Sequence, residues 1–467
     1  MLRLHDTATG EVTPLVLRTP GRASMYVCGP TVYDSPHLGH GRFSLVFDIL
    51  RRYLLFTGLE VSYVSNITDI DDKIIERAAE RGIDPAELAV TFEGVWWEAM
   101  DRLGVLRPDE VPHATAYVEQ MVELVGRLVD RGVAYETSDG VYLSVAEVDG
   151  YGLLARQPLE SLRAGARVEA NEEKRSPLDF ALWKKAKPGE PTWDAPWGAG
   201  RPGWHTECVV MSLDLLGDGF DLHGGAIDLI FPHHENERAQ AVALGRPFAQ
   251  HWVHNGWVTV DGEKMSKSLG NFTSLDDLLD RSDARAYRLL VLRAHYRSPI
   301  EVTPSTVAQA EDGLARLDAL ARRFDLGSPL DGSRYGVDGD RPVGLDAAAV
   351  DAFRERMDND LDTPGALAGI FDLVRAANAA LDAGDGDRAR SQALTVAWLC
   401  AALGLSLRRD GDGDGSAVDP ATAALVAERD RARAERDWAR ADELRQQLAD
   451  GGWLVEDSAE GTRIRRP

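Results

Sequence analysis

The 467-residue chain carries 52 basic against 76 acidic residues, a net charge of −24, which taken alone argues against a nucleic-acid partner, although binding needs only a local basic face. A hydrophobic fraction of 44% with 27% charge fits a globular chain with an ample core, about three domains long at ~150 residues each. Three scattered cysteines and a first stretch without an apolar signal region point away from a disulfide framework and from export, toward the cytoplasm.

Residues 23–28 alternate in polarity and read as a strand. "RFSLVFDILRRYLLFTG", between Gly39 and Gly58, has helical apolar spacing and a glycine stop. "EVSYVSNI" (60–67) reads as the next strand, followed by a helix over about 71–81. "DPAEL" then sets Asp84 at an N-cap, Pro85 at the first helical position and Glu87 at the box position. Strand, helix, strand, helix spells a parallel sheet with crossover helices. Over 115–200 that rhythm breaks into short elements and the Pro/Gly-rich "KPGEPTWDAPWGAGRPG", which reads as an insertion. The sheet resumes with "FDLHGGAIDLIF" and "HWVHNGWVTV"; between them Pro232 of "FPHHENE" reads as a helix start.

Beyond Ser298 the chain is Ala-rich and helical. Its longest apolar run, 394–407, contains Gly404, is too short for a bilayer and reads as a buried helix. Two linkers stand out, 325–344 and 408–420. The second imitates the start of a calcium loop with Asp410, Asp412, Asp414 and Gly415, but Ala421 stands where a bidentate Glu is required. Residues 421–449 read as one charged helix before a small cap. The organisation is thus α/β: a Rossmann-type parallel-sheet domain (1–114 and 201–298), an insertion (115–200), a helical bundle (299–407), a linker (408–420) and a small C-terminal domain (421–467).

Three constellations carry chemistry. "HLGH", His37 to His40, comes where a strand hands over to a helix; Gly39 lets a ligand approach the backbone, and the helix N-terminus suits phosphate. "GEKMSKSLGNF" places Lys264 and Lys267 around Ser266, two ammonium groups suited to a triphosphate under attack. "GWHTECVVMS" and "FPHHENERAQ" supply Cys208, His233 and Glu237, the last two four residues apart; with Cys28 they form a set of soft and borderline donors that zinc accepts. Against this, a buried lone cysteine is usually a small core residue, and Cys400 keeps that reading. On charge alone the basic stretches "EKRSPLDFALWKKAK" and "RIRRP" read as solvated surface.

With these residues in view the chain resembles the cysteinyl-tRNA synthetases, a class I aminoacyl-tRNA synthetase family. The resemblance is carried, in order, by "YVCGPTVYD…HLGH", "NITDIDDKI", "LDFALWK", "GRPGWHTEC", "DLIFPHHENE", "HNGWV", "KMSKSLGNF" and "RDWARADELR…DSAEGTRIRR". It implies that L-cysteine attacks the α-phosphate of ATP, giving cysteinyl-adenylate and pyrophosphate, and that the terminal ribose of cysteine tRNA then takes the cysteinyl group. His37, Gly39 and His40 would meet the ATP phosphates, with Lys264, Ser266 and Lys267 on the transition-state charge and magnesium accompanying the triphosphate. One zinc ion would sit on Cys28, Cys208, His233 and Glu237. Thiolate binds zinc far better than a hydroxyl, so the metal could reject serine, which a simple pocket does poorly. Gly29, Thr68, Trp204 and Asp228 would line the cysteine pocket, with His205 and Asn255 beside them.

The resemblance makes the insertion a connective domain gripping the acceptor end, where the basic stretch 174–187 becomes an RNA candidate. Residues 299–407 become a stem-contact and bundle region. The C-terminal domain would read the anticodon through Arg433, Trp438, Asp442 and Asp457, an aromatic stacking on a base and charged groups reaching base edges. It also implies a monomer without a membrane partner. Two departures are Gly41, where the family commonly has Ala, and Ala226, where it commonly has a third Gly. The runner-up is the cysteine ligase of mycothiol biosynthesis, which lacks the C-terminal region and carries a Gly-Gly-Asp-Pro element where this chain reads "RVEANEEKRSPLDF". A non-catalytic RNA-binding paralog would have lost motif residues that are all present here.

Overall fold

The computed structural model describes residues 1–156, 173–260, 263–264, 274–326, 342–409, 420–435, 437–451, 453–458 and 461–465. After an N-terminal hairpin, β1 (Arg3–Asp6) with β2 (Glu11–Pro14), comes β3 (Arg22–Val27), buried at every position but the first. Burial on both faces is the mark of a central parallel strand. Helix α1 (Leu38–Phe56) follows and is buried almost all round; Gly58, at φ +90, turns the chain into β4 (Glu60–Val64). Next come α2 (Asp72–Arg81), capped by the Asp71 side chain and stopped by left-handed Gly82, and α3 (Pro85–Arg102), capped by Asp84. The Gly58 stop and the Asp84 cap are the ones the sequence predicts.

The insertion contains α4 (Val118–Asp130) and the antiparallel sheet β5 (Ala134–Glu136), β6 (Gly140–Leu143), β7 (Phe180–Lys185) and β8 (Gly200–Pro202). The parallel domain resumes with α5 (Trp204–Leu215), β9 (Leu222–Ala226), α6 (Glu235–Ala243) and β10 (His251–Asn255). Its sheet has the order β10-β9-β3-β4, parallel throughout. The stretch predicted as one strand, "HWVHNGWVTV", is two. The chain leaves the sheet at Gly256, where a Cβ would stand 2.5 Å from the Arg297 carbonyl oxygen, and enters β11 (Val258–Val260) of a separate small sheet. That sheet is completed by β12 (Glu263–Lys264) and β13 (Ile300–Glu301), between which lie α7 (Leu275–Arg281) and α8 (Ala284–Leu292).

A bundle follows: α9 (Pro304–Phe324), α10 (Ala347–Asp358), α11 (Thr363–Asp382) and α12 (Gly386–Ala402), the last holding the predicted buried apolar run and Cys400. The single charged helix predicted over 421–449 is also two, α13 (Pro420–Ala434) and α14 (Trp438–Asp450). The break lies at Asp437, whose side chain accepts from Arg440 N as an N-cap. Arg440 reaches back to Glu428 at 2.7 Å and holds the two helices together. The hairpin β14 (Leu454–Ser458) with β15 (Gly461–Arg465) closes the chain. Among the described residues no helix is long and apolar enough to cross a membrane.

Two ionic joints lock these parts. Fully buried Asp48 of α1 accepts from Arg52 Nε at 2.8 Å, from Leu106 N at 2.9 Å and from Arg288 of α8. Arg288 also bonds the carbonyls of Leu103, Gly104 and Leu403, so α1, α8, the end of α3 and the end of α12 meet on one carboxylate. The insertion is joined at Asp72 of α2, which accepts from Lys184 Nζ at 2.7 Å and from Arg201; Arg201 in turn pairs with Glu190 at 2.5 Å. Lys185 pairs with Glu136. Two of the five cations of the stretch 174–187, Lys184 and Lys185, are therefore spent on internal pairs.

Burial opposes ionisation of Asp72, but Lys184 and Arg201 outweigh it and hold its carboxyl at about 2. A depressed carboxyl stabilises fully above its unfolded value of about 3.9, and that contribution is lost as pH falls toward 2. Acid should loosen the insertion between about pH 4 and about pH 2. Asp72→Asn should loosen it already at neutral pH; hydrogen-exchange protection of residues 180–202 checks both.

Candidate active site

His37 is the N-cap of α1, with extended backbone, and it forms a capping box of an uncommon kind. Its Nδ1 accepts from His40 N at 3.2 Å while His40 Nδ1 accepts from His37 N at 3.3 Å. With both Nδ1 atoms acting as acceptors, the neutral rings carry their protons on Nε2. The rings stack at 3.7 Å, half-buried, with Trp96 edge-on to His40. Two parallel imidazole N–H donors thus sit at the positive end of a 19-residue helix, with Gly39 between them. Next to them, a Cβ on Gly41 would meet the Tyr287 ring at 2.9 Å and a Leu275 methyl at 3.0 Å; the missing methyl is space those two side chains use. Of the second motif, Lys264 lies on β12, its backbone paired opposite Thr259. Ser266 and Lys267 lie outside the described residues.

At the other end of the β3–α1 connection, Cys28 follows the last residue of β3, its N–H extending the ladder to the Gly224 carbonyl. Cys208 comes from α5 and Glu237 from α6. A cis Phe231–Pro232 bond and an extended Phe231 kink the chain, and from Pro232 the backbone is helical and runs on into α6, the helix start that the sequence predicts. His233 and Glu237, four residues apart, share one face, Nε2 to Oε1 at 2.9 Å.

The candidate ligand atoms of Cys28, Cys208, His233 and Glu237 all lie within 4.8 Å of one another, and all four residues are buried. Cys28 Sγ is 3.5 Å from Cys208 Sγ and 3.3 Å from Glu237 Oε1, and Cys208 Sγ is 3.6 Å from His233 Nε2. A tetrahedral zinc shell with bonds of about 2.0–2.3 Å has ligand–ligand edges of about 3.3–3.8 Å. Three of the four contacts fall in that range, so the residues fit the metal in both donor type and spacing.

Cys28, His223, His234 and Glu237 form an overlapping group. There His223 Nε2 lies 2.6 Å from Glu237 Oε2, a hydrogen-bond distance rather than a shell edge. His223 therefore orients the carboxylate through its second oxygen. His234 lies against Cys28 Sγ at 3.4 Å and begins a relay through His254 to the Thr7 hydroxyl, with steps of 2.8 and 2.7 Å. These three histidines escaped the sequence reading. Only the register of β9 and β10, which sets His254 opposite Gly225, shows that they converge.

The ionisation of the cluster is internally biased. Burial opposes charge on Glu237, but His223 and His233 outweigh it and hold its carboxyl well below the usual range. Burial also opposes the Cys208 thiolate, yet the Cys28 hydrogen bond and His233 bring it to about 6. His233, against its own burial, is pushed up to about 10 by Glu237 and Cys208. Burial and the Cys208 contact drive Cys28 well upward.

Around the cluster, Trp204 opens α5 and stacks on His233 at 4.0 Å, and His205 Nδ1 lies 2.9 Å from His233 Nδ1. Thr68 is buried; its hydroxyl donates to Glu207 at 2.7 Å and accepts from Asn66 at 3.2 Å. Burial and neighbouring Cys208 raise the Glu207 carboxyl well above its usual value. Asn66 Oδ1 accepts from Gly29 N at 2.9 Å and from the Tyr26 hydroxyl at 3.1 Å. Asn66 and Glu207 also escaped the sequence reading, though "NIT" and "TEC" contain them. Asn255 is buried at the end of β10, and its Oδ1 has no partner among the described residues. Asp228 is exposed on the turn Ile227–Leu229 and forms no polar contact among the described residues.

The candidate RNA contacts sit apart. Trp438, the first residue of α14, is 60% exposed, and Asp442 is exposed one turn along the same helix. Arg433 is half-buried on α13, and Asp457 lies on β14 opposite Thr462.

Solved structures with this architecture include Mycobacterium tuberculosis methionyl-tRNA synthetase in complex with methionyl-adenylate. It superposes with a TM-score of 0.58 at 18% identity over 82% of this chain and 89% of that one, which assigns the class I synthetase fold. Family models match along the length: the class I (C) tRNA synthetase catalytic domain over 15–312, the DALR domain over 352–408 and the cysteinyl-tRNA ligase anticodon binding domain over 416–465. Cysteine-tRNA ligase of Geobacter sulfurreducens is 45% identical over 474 residues, covering 99% of this chain and 98% of the relative. That of Halorhodospira halophila is 46% identical over 473 residues, with full coverage of both. The chain belongs to the cysteinyl-tRNA ligase family.

One glycine tests how tightly this pocket is built. A Cβ on Gly29 would stand 1.6 Å from the Asn66 carbonyl oxygen, a backbone atom that can yield only by moving the strand end. Gly29→Ala should therefore displace Asn66 and Cys28 together, cutting cysteine activation at least about tenfold and destabilising the fold by about 1–3 kcal/mol. Activation kinetics beside a thermal melt check this.

Proposed function

We propose that this protein is a cysteine-tRNA ligase. It activates L-cysteine with ATP and transfers the cysteinyl group to the 3′ end of cysteine tRNA. The observation that carries the reading is the coupling of two sites through one short segment. Cys28, in a buried Cys/Cys/His/Glu cluster, and His40, in a histidine pair at a helix N-terminus, are twelve residues apart on the connection from β3 to α1. A thiol held at the first site and a triphosphate at the second are the two ends of an aminoacyl-adenylation reaction.

The residues divide the work as follows. His37 and His40 offer Nε2–H donors, fixed by their reciprocal caps, to the phosphate oxygens as charge shifts during displacement. Lys264 and Lys267 balance the charge that builds on the leaving pyrophosphate, and magnesium enters with ATP as part of the substrate. No side-chain nucleophile takes part. The cysteine carboxylate attacks the α-phosphorus, pyrophosphate leaves, and the ribose hydroxyl of the tRNA end later displaces AMP from the acyl carbon. Cys28, Cys208, His233 and Glu237 would hold one zinc ion, which supplies preference for a thiolate over the serine hydroxyl. His223 orients Glu237, His205 orients His233, and Trp204 shields the site by stacking on His233. Gly29 and Thr68, joined through Asn66, form the wall beside the substrate; Asp228 stands at the rim.

The insertion over 115–200 meets the acceptor end, the bundle over 299–407 meets the stem, and residues 421–467 read the anticodon through Arg433, Trp438, Asp442 and Asp457. The protein acts as a cytoplasmic monomer. The similarity of 416–465 to an anticodon binding domain disfavours the mycothiol ligase, which has no such region.

Purified protein with cysteine, ATP and cysteine tRNA transcript should form cysteinyl-tRNA, and no product would sink the reading. Metal analysis should find one zinc per chain, lost in Cys208→Ala, which should also lose discrimination against serine. A chain ending before 421 should keep cysteine-dependent ATP–pyrophosphate exchange and lose tRNA charging. Equal loss of both would refute the division of labour.

A further inference from the structure

The chain entering β11 and the chain entering β13 run side by side. Gly256 N donates to the Tyr296 carbonyl at 2.9 Å and Ile300 N to the Trp257 carbonyl at 2.9 Å. One side chain clasps both. Arg42, two residues past His40 on α1, is 1% exposed. Its Nη1 donates to the Trp257 carbonyl, and its Nη2 to those of Tyr296, at 3.0 Å, and Ser298. From the far side Asp360, between α10 and α11, accepts from the Tyr296 hydroxyl at 2.7 Å and from Arg297 Nε at 2.9 Å. Segment 296–298 is thus gripped by the bundle on one side and by the His37/His40 helix on the other. Trp257 leads directly into β11, which pairs with β12, where Lys264 lies.

Arg42 is an expensive choice for a purely structural staple. It is a buried cation that pairs with no carboxylate among the described residues; its acceptors are three neutral carbonyls. Its Nε has no acceptor among the described residues. It lies at the start of the second turn of α1, on the positive half of a helix dipole that favours anions. Burial lowers its guanidinium to about 10, which leaves it charged at neutral pH. A neutral donor could bond carbonyls without those costs. A polyanion at the α1 N-terminus offsets them, because its attraction for an unscreened buried cation is strong. A residue that breaks local rules in this way marks a functional constraint.

We propose that Arg42 is a positioning residue for ATP. It fixes the spacing between the His37/His40 turn and the strand leading to Lys264, and its unbalanced charge adds to the field that draws the triphosphate. The proposal rests on the reading of this chain as an ATP-using ligase, whichever amino acid it activates.

The test is calorimetric titration of the full chain with magnesium–ATP beside cysteine-dependent ATP–pyrophosphate exchange. Arg42→Gln, which removes the charge, should weaken ATP binding at least about tenfold, the size of one lost charge-assisted interaction, with KM for cysteine within about twofold of wild type. Arg42→Lys keeps the charge and loses the fork; it should recover most of the affinity, with a residual loss of about threefold. ATP and cysteine parameters worsening together, or ATP binding unchanged in folded variants, would overturn the proposal. Should Arg42→Gln fail to fold, Arg42→Lys decides alone: an ATP-specific loss supports the assignment, and none overturns it. Wild-type protein that binds ATP without cysteine-dependent exchange would sink the cysteine reading, while the titration would still judge Arg42.

Discussion

Two thiols, an imidazole and a carboxylate share a buried volume that only a cation makes easy to tolerate. Glu237 is pressed toward its charged form by two histidines, and Cys208 by Cys28 and His233. His233 sets one positive charge against these two anions, and a metal cation would balance the rest. The rest of the catalytic domain is arranged to sustain this cluster. β3 delivers Cys28, α5 delivers Cys208, and the turn before α6 delivers His233 with Glu237 just behind it. His223 and His205 each occupy the far atom of one cluster member, so the rotamers are held from outside.

The same strand that ends in Cys28 begins the turn to the histidine pair. Between them the chain has little freedom: Gly29 lies against the Asn66 backbone, and Thr31 and Val32 bridge to Thr68. On the proposed function, fixed geometry over these few residues would join the two sites into one reactive arrangement, with positioning supplying the larger part of the rate. The carboxylate joint at Asp48 extends this rigidity. It holds α1 against α8 and against the end of the bundle.

What the sequence disclosed and what it hid have a common physical reason. Local signals read correctly: Asp84 before Pro85, the glycine stop at 58 and the buried helix holding Cys400 depend on neighbours in the chain, whereas 23–28, read as alternating, belongs to a strand buried on both faces because it lies inside the sheet. The breaks at Gly256 and Asp437 were missed, because each requires a contact from a distant segment or a cap within an otherwise helical pattern. The same holds within the site. Cys28, Cys208, His233 and Glu237 stand in recognisable motifs. His223, His234 and His254 become partners only when β9 and β10 pair in register. Asn66 and Glu207 meet across more than a hundred residues through Thr68. The cationic stretch 174–187 looked available in sequence, whereas Lys184 and Lys185 are paired with Asp72 and Glu136.

The central claim is that this cluster is a thiolate-reading metal site, and X-ray absorption at the zinc edge of the purified protein addresses it most directly. The account predicts two sulfur scatterers at about 2.3 Å with nitrogen or oxygen scatterers at about 2.0–2.2 Å, and a third sulfur when cysteine, but not serine, is added. A shell without sulfur, or one indifferent to cysteine, would contradict it.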